Sequence, residues 1–216
     1  MKAVLGIGAA IAIAVAGWFG WNHYESGKEH DVAAAAVQVS VTQAERQMKA
    51  QSEDGITFAE YFKRSDTVID NLDKEIANLE GRTWKHRLAE KDAAIAFIDQ
   101  CKAILRADQT ETRLLMKEGS AREANDEAKK ELNEADSSVA REWAYKRYKR
   151  TSDALIDVLG KLISNAEESK GKIERMLAED NAVKSTFGEG HGLSQGTAEH
   201  LKNLLKPAAP EKPAQS

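Results

Sequence analysis

The sequence predicts an all-α protein: an N-terminal transmembrane helix followed by an elongated antiparallel helical bundle or coiled coil. Three observations predict it. Residues 3–21 form a run without a single charged side chain. The rest of the chain is rich in Ala, Glu, Lys and Leu, and its three prolines all fall in the last ten residues, a composition of long helices rather than of sheets. Within it, apolar residues recur at alternating steps of four and three, the spacing of helices that pack along a seam.

The first element is the run AVLGIGAAIAIAVAGWFGW at 3–21. As a helix it measures about 28 Å, close to the hydrocarbon thickness of a bilayer. Ala14-Val15-Ala16 fits a signal-peptidase site behind the basic Lys2. Past that site the chain stays apolar, and Trp18, Phe19, Trp21 and Tyr24 form the aromatic border of a membrane interface. Residues 1–25 are therefore read as a retained membrane anchor or uncleaved signal. Glu25, Glu29 and Asp31 outnumber Lys28 on the far side, so the positive-inside rule puts the body outside the cytoplasm. The expected location is a bacterial inner membrane, crossed once, with the C-terminal domain in the periplasm. Small residues four apart, Gly6 to Ala10, Ala10 to Ala14 and Ala16 to Gly20, would let two anchors approach in a homo-oligomer.

Cap chemistry divides the body, residues 26–185, into helices of roughly 29–51, 57–117 and 120–183. Ser26 with Glu29, Thr57 with Glu60, and Ser120 with Glu123 each have capping-box spacing. Gly55 and Gly119 precede the last two boxes, which predicts turns near 52–56 and 118–120. One seam runs through Phe58, Phe62, Ser65, Ile69, Leu72, Ile76 and Leu79. A second runs through Leu155, Leu159, Leu162, Ala166, Ser169, Ile173 and Met176, and extends back to Ser152, Tyr148 and Tyr145. After Gly81 the first register fails, since Trp84, Leu88, Ile95, Ile98 and Leu105 follow another line, so a break is expected there. The remainder, 186–216, is glycine-dense and then Pro-Ala-rich, and reads as a flexible tail.

Motifs that carry chemistry are sparse. Gly192-Leu193-Ser194-Gln195-Gly196 matches the nucleophile elbow of α/β hydrolases, but no strand pattern precedes it. The five histidines lack metal-ligand spacing, and the single Cys101 falls on an apolar helix line with Ala94, Phe97 and Ile104. Neither an enzymatic activity nor a cofactor or metal is expected. The feature that invites a function is REWAYKRYKR at 141–150. It places Arg141, Lys146, Arg147, Lys149 and Arg150 among Trp143, Tyr145 and Tyr148. A hairpin about residue 119 would set it opposite RTWKHR, with Arg82, Lys85 and Arg87. The combined girdle is the candidate surface for an anionic partner: lipid headgroups, cell-wall polymer or an acidic protein.

The function predicted is a membrane-anchored, extracytoplasmic scaffold or adaptor acting through protein–protein contacts. Its partners are a protein of the envelope or membrane and the bilayer itself, with no nucleic acid. Two alternatives stand beside it. The anchor, the Asn22-His23-Tyr24 that follows it and the coiled coil beyond make a layout that resembles the inner-membrane spanins of tailed phages, which implies a role in lysis. Cleavage after Ala16 would instead yield a soluble periplasmic helical chaperone.

Overall fold

A computed structural model describes residues 2–50 and 55–206, with backbone alone for residues 2–22. Every regular element among these residues is helical: α1 (Lys2–Ala50), α2 (Phe58–Glu80), α3 (Leu88–Glu134), α4 (Ser138–Phe187), a 3-10 turn at Glu189–His191, and α5 (Gln195–Leu204). The all-α class is as expected, and the helices pack as a bundle. Among the described residues no helix is long and apolar enough to cross a membrane. The anchor expectation concerns residues 3–21, whose side chains lie outside the described set.

The helical region, expected as one domain, divides into two compact units. One comprises the described residues through Lys102 with Met176–Ala198, the other Ala103–Arg175 with the described residues from Glu199. In the first unit α1 packs on α2. Among its buried positions Ala33, Val37, Ser40, Ala44 and Gln47 follow heptad spacing, and the small Ala33, Ser40 and Ala44 on that line let backbones approach closely. On α2 the predicted seam holds over most of its length: Ser65, Ile69, Leu72 and Leu79 are buried, while Phe58 at its start is exposed. Gln47 Nε2 donates to the Tyr61 carbonyl at 3.4 Å and ties the two helices. The α3 stretch Ala94, Phe97, Ile98 and Cys101 is fully buried, and Met176, Val183 and Phe187 of α4 complete the core.

The Thr57 capping box forms, with the hydroxyl accepting from the Glu60 N–H at 3.2 Å and the Thr57 N–H donating to the Glu60 carboxylate at 3.1 Å. Gly55 before it has φ 84, a left-handed conformation that favours glycine. Of the expected turn at 52–56, residues 52–54 lie outside the described set. The break at Gly81 is a helix end: Gly81 is the C-cap of α2, and Trp84 Nε1 donates to the Leu79 carbonyl at 2.7 Å, satisfying a terminal acceptor.

Three expectations are corrected. The turn near 118–120 does not exist, because α3 runs unbroken through Gly119 and Ser120, whose hydroxyl donates back to the Met116 carbonyl. A single helical glycine costs about 1 kcal/mol against Ala, which a 47-residue helix absorbs. The hairpin turn falls instead at 135–137, where Ser137 Oγ accepts from the Ala140 N–H and caps α4. The Ser26–Glu29 box is likewise no helix start, since both residues lie inside α1.

The third correction concerns the tail. Residues 186–206 are folded: Leu193, Thr197, Ala198 and Leu201 are buried. The Leu193 N–H donates to Asp180 Oδ1 and the Ser194 N–H to Glu45 Oε1, both at 2.6 Å. The glycines there serve a turn, at Gly188 with φ 97, and a close approach, at Gly192 against Asp180. Residues 207–216 lie outside the described set.

Candidate functional site

In the second unit α3 and α4 form an antiparallel hairpin. Asn125 Oδ1 accepts from the hydroxyls of Thr151 and Ser152, and Arg147 spans to Glu127 at 3.1 Å and also pairs with Glu131. Partners nearer the turn on one helix thus face partners nearer the turn on the other. The basic segment 141–150 occupies the first turns of α4 beside this hairpin end.

Its residues divide by role. Arg147 is held by the two α3 carboxylates, and Lys146 pairs with Glu142 at 2.7 Å while lying 5.5 Å from the Trp143 ring centroid. Arg141 Nη2 donates to the Ala135 carbonyl at 3.3 Å, bracing the turn. Lys149 and Arg150 are exposed. Of the two aromatics in the expected seam Tyr148 is half-buried while Tyr145 is 56% exposed; Trp143 is 70% exposed, and Ala144 turns inward. An open groove of about 640 Å³ lies here, lined among others by Glu134, Trp143, Lys146, Arg147 and Arg150.

The other half of the expected girdle, 82–87, belongs to the first unit. The hairpin about residue 119 that would have set it against 141–150 does not form. Its cations are largely committed to α1. Arg87 Nε donates to Ser26 Oγ at 2.7 Å and its Nη1 to Glu90 Oε1 at 2.9 Å, while Lys85 Nζ lies 3.6 Å from Glu25. Arg82 is exposed.

What positions this segment is Glu29. Its carboxylate accepts three successive backbone N–H groups, from Lys85 at 2.9 Å, His86 at 2.9 Å and Arg87 at 2.8 Å. These donors lie just before α3, whose positive dipole end also favours an anion. His30 Nδ1 adds a 2.9 Å contact to Glu90, in the first turn of α3. Burial raises the Glu29 carboxyl, but the three backbone donors and the nearby His86 outweigh it and hold it below the ordinary value of 4.5. The stabilisation is therefore complete above pH 4.5 and is lost as pH falls through the lowered folded value. Glu29→Ala is expected to cost about 1–2 kcal/mol and to speed amide exchange at 85–87 at neutral pH. At a pH below the folded value the difference from wild type should vanish; unchanged exchange at pH 7 would contradict this role.

The remaining motifs take structural places. The Ser194 hydroxyl contacts Thr197 Oγ1 at 3.0 Å and accepts weakly from the Thr197 N–H, so it caps α5 rather than standing on a strand-to-helix turn. Burial pushes the Cys101 thiol up, and the charges of Asp180 and Glu45 act in the same direction, which keeps it protonated and unreactive. Among the described residues no group of three or more metal-binding side chains comes together. Sequence reasoning missed the Glu29 site because it read Ser26 and Glu29 as a local cap. It also missed the α1 seam, whose signal was present as small residues at heptad spacing. No protein-family model, curated protein or solved structure matches the chain.

Proposed function

We propose that the chain is a single-pass inner-membrane protein whose periplasmic helices act as a scaffold or adaptor through protein contacts. The observation that carries the reading is the uncharged run 3–21 with its aromatic border, placed at the start of a helix, α1, that continues into a packed bundle. A helix of 49 residues spans about 74 Å, long enough to serve as anchor and as core element at once. The exposed aromatic and basic start of α4 supplies the kind of surface such a scaffold presents.

The test is fractionation of the full chain with a C-terminal reporter. The protein is expected to remain in carbonate-washed membranes, to retain its N-terminal residues by intact mass, and to expose its C-terminus to periplasmic protease. A soluble product beginning at Gly17 would replace the anchor with the chaperone reading.

A further inference from the structure

The turn between α2 and α3, residues 81–87, is tied to a stretch of α1 that lies just past the apolar run. Glu29 takes the N–H groups of Lys85, His86 and Arg87, and Arg87 Nε donates to Ser26 Oγ. Lys85 Nζ lies 3.6 Å and His86 Nε2 3.8 Å from Glu25 Oε2. Lys28 Nζ comes to the same level of α1, 4.3 Å over the Tyr24 ring. At 1.5 Å per residue, Tyr24 and Glu25 stand about 4.5–6 Å beyond Trp21. A bilayer carries roughly 5–7 Å of headgroups outside each face of its hydrocarbon core. With Trp21 at the hydrocarbon edge, the ammonium groups of Lys28 and Lys85 fall within the headgroup layer.

We propose that this turn rests on the outer leaflet of the membrane, where Lys28 and Lys85, with Arg82 beside them, bind the phosphates of anionic phospholipid headgroups. The inference rests on the anchor reading and adds to it a second, peripheral contact with the same bilayer. Lys28 reaches back toward the N-terminus of α1, as helical side chains do, and so toward the membrane. Arg82 is exposed and borders, with Lys28 and Thr83, an open groove of about 280 Å³. Long cationic side chains of this kind bring their charged ends to the interface while their stems stay on the protein.

The clamp positions these cations without using them up. Glu29 holds the turn through backbone N–H groups, and Glu90 is taken by Arg87 and His30. Asp31 lies about 9 Å farther along α1 than Glu25. What remains near the turn is Lys28, Arg82 and Lys85 against Glu25 and Glu80. The Lys85 side chain is 61% exposed, and at 3.6 Å from Glu25 its ammonium keeps donors for a phosphate oxygen. Each Lys or Arg so placed near an anionic leaflet contributes about 1 kcal/mol of attraction.

The experiment places the full-length chain, spin-labelled at Thr83→Cys or at Lys63→Cys, in nanodiscs of phosphatidylglycerol and phosphatidylcholine that contain a nickel-chelating lipid. The native Cys101 is buried and takes no label. Lys63 is the distant reference: it follows Tyr61, which Gln47 ties to α1 about 39 Å beyond Trp21. Headgroup nickel is expected to relax the label at 83 and to leave the label at 63 unaffected. In parallel, Lys28→Gln with Lys85→Gln is expected to lower the selectivity of the chain for spin-labelled phosphatidylglycerol over phosphatidylcholine by about fivefold at unchanged helicity. A chain that stays in the nanodisc with both labels unrelaxed would overturn the contact and leave the anchor standing. A chain that leaves the nanodisc would overturn the anchor, and the contact with it. Unchanged selectivity in the double variant would overturn the role of the two lysines. Calorimetry in nonionic detergent should show no uptake of inorganic phosphate; uptake that the double variant loses would assign these cations to a free anion instead.

Discussion

Phe97→Ala is expected to destabilise the first unit by about 3–5 kcal/mol, the usual cost of removing a large core aromatic. Phe97 is fully buried, as are its neighbours Ala94, Ile98 and Cys101 on the same side of α3. Two of those four are small, so little side-chain volume is at hand to close the cavity. Against a total stability of about 5–15 kcal/mol for a domain of ordinary size, the loss is a large fraction. Urea unfolding followed by circular dichroism, with amide exchange along 94–105, should show the shift. Val39→Ala, on the exposed side of α1, should stay within about 0.5 kcal/mol. If both variants unfold alike, the placement of this core is wrong.

Gly192→Ala is expected to cost about 1–3 kcal/mol, the range for overfilling a packed site, and to free residues 188–198 from the first unit. The backbone there, φ −107 and ψ −166, suits alanine, so the cost is one of space alone. A Cβ would sit 2.3 Å from Asp180 Oδ1 and 2.6 Å from Lys184 Cε. Neither atom can retreat cheaply: Asp180 is buried and accepts the Leu193 N–H, and Lys184 Nζ is bound to Asp180 at 2.7 Å. Limited proteolysis should cut the variant between 188 and 194 well before the wild type. Gly190→Ala, where nothing lies within 4 Å, should behave as wild type. Equal protection of both variants would mean that the segment does not dock through this contact.

Local chemistry was legible where it is local. Thr57 with Glu60 forms the capping box its spacing announced, and Gly81 ends α2 where the heptad register failed. Both signals depend on residues within one turn of each other. The serine–glutamate pairs at 26 and 120 have the same spacing and make no cap, because the helices around them never stop and the nearby N–H groups already have partners within the helix. Ser26 and Glu29 then reach residues about sixty positions away. Nothing in their spacing separates that use from a cap.

The sequence by itself determined the helical class, the apolar start, the α2 seam and the burial of Cys101, because composition and periodicity act residue by residue along one helix. Only the tertiary structure decided that Glu29 holds the loop before α3, that the glycine-rich segment after α4 docks on Asp180 and Glu45, and that the basic residues at 82–87 and 141–150 belong to separate units. The separation of the two basic segments follows from where α3 turns, at 135–137 rather than at 119. That position rests on a small balance: one helical glycine's cost of about 1 kcal/mol against the packing of an unbroken helix on its neighbours, a sum that no local window of sequence contains.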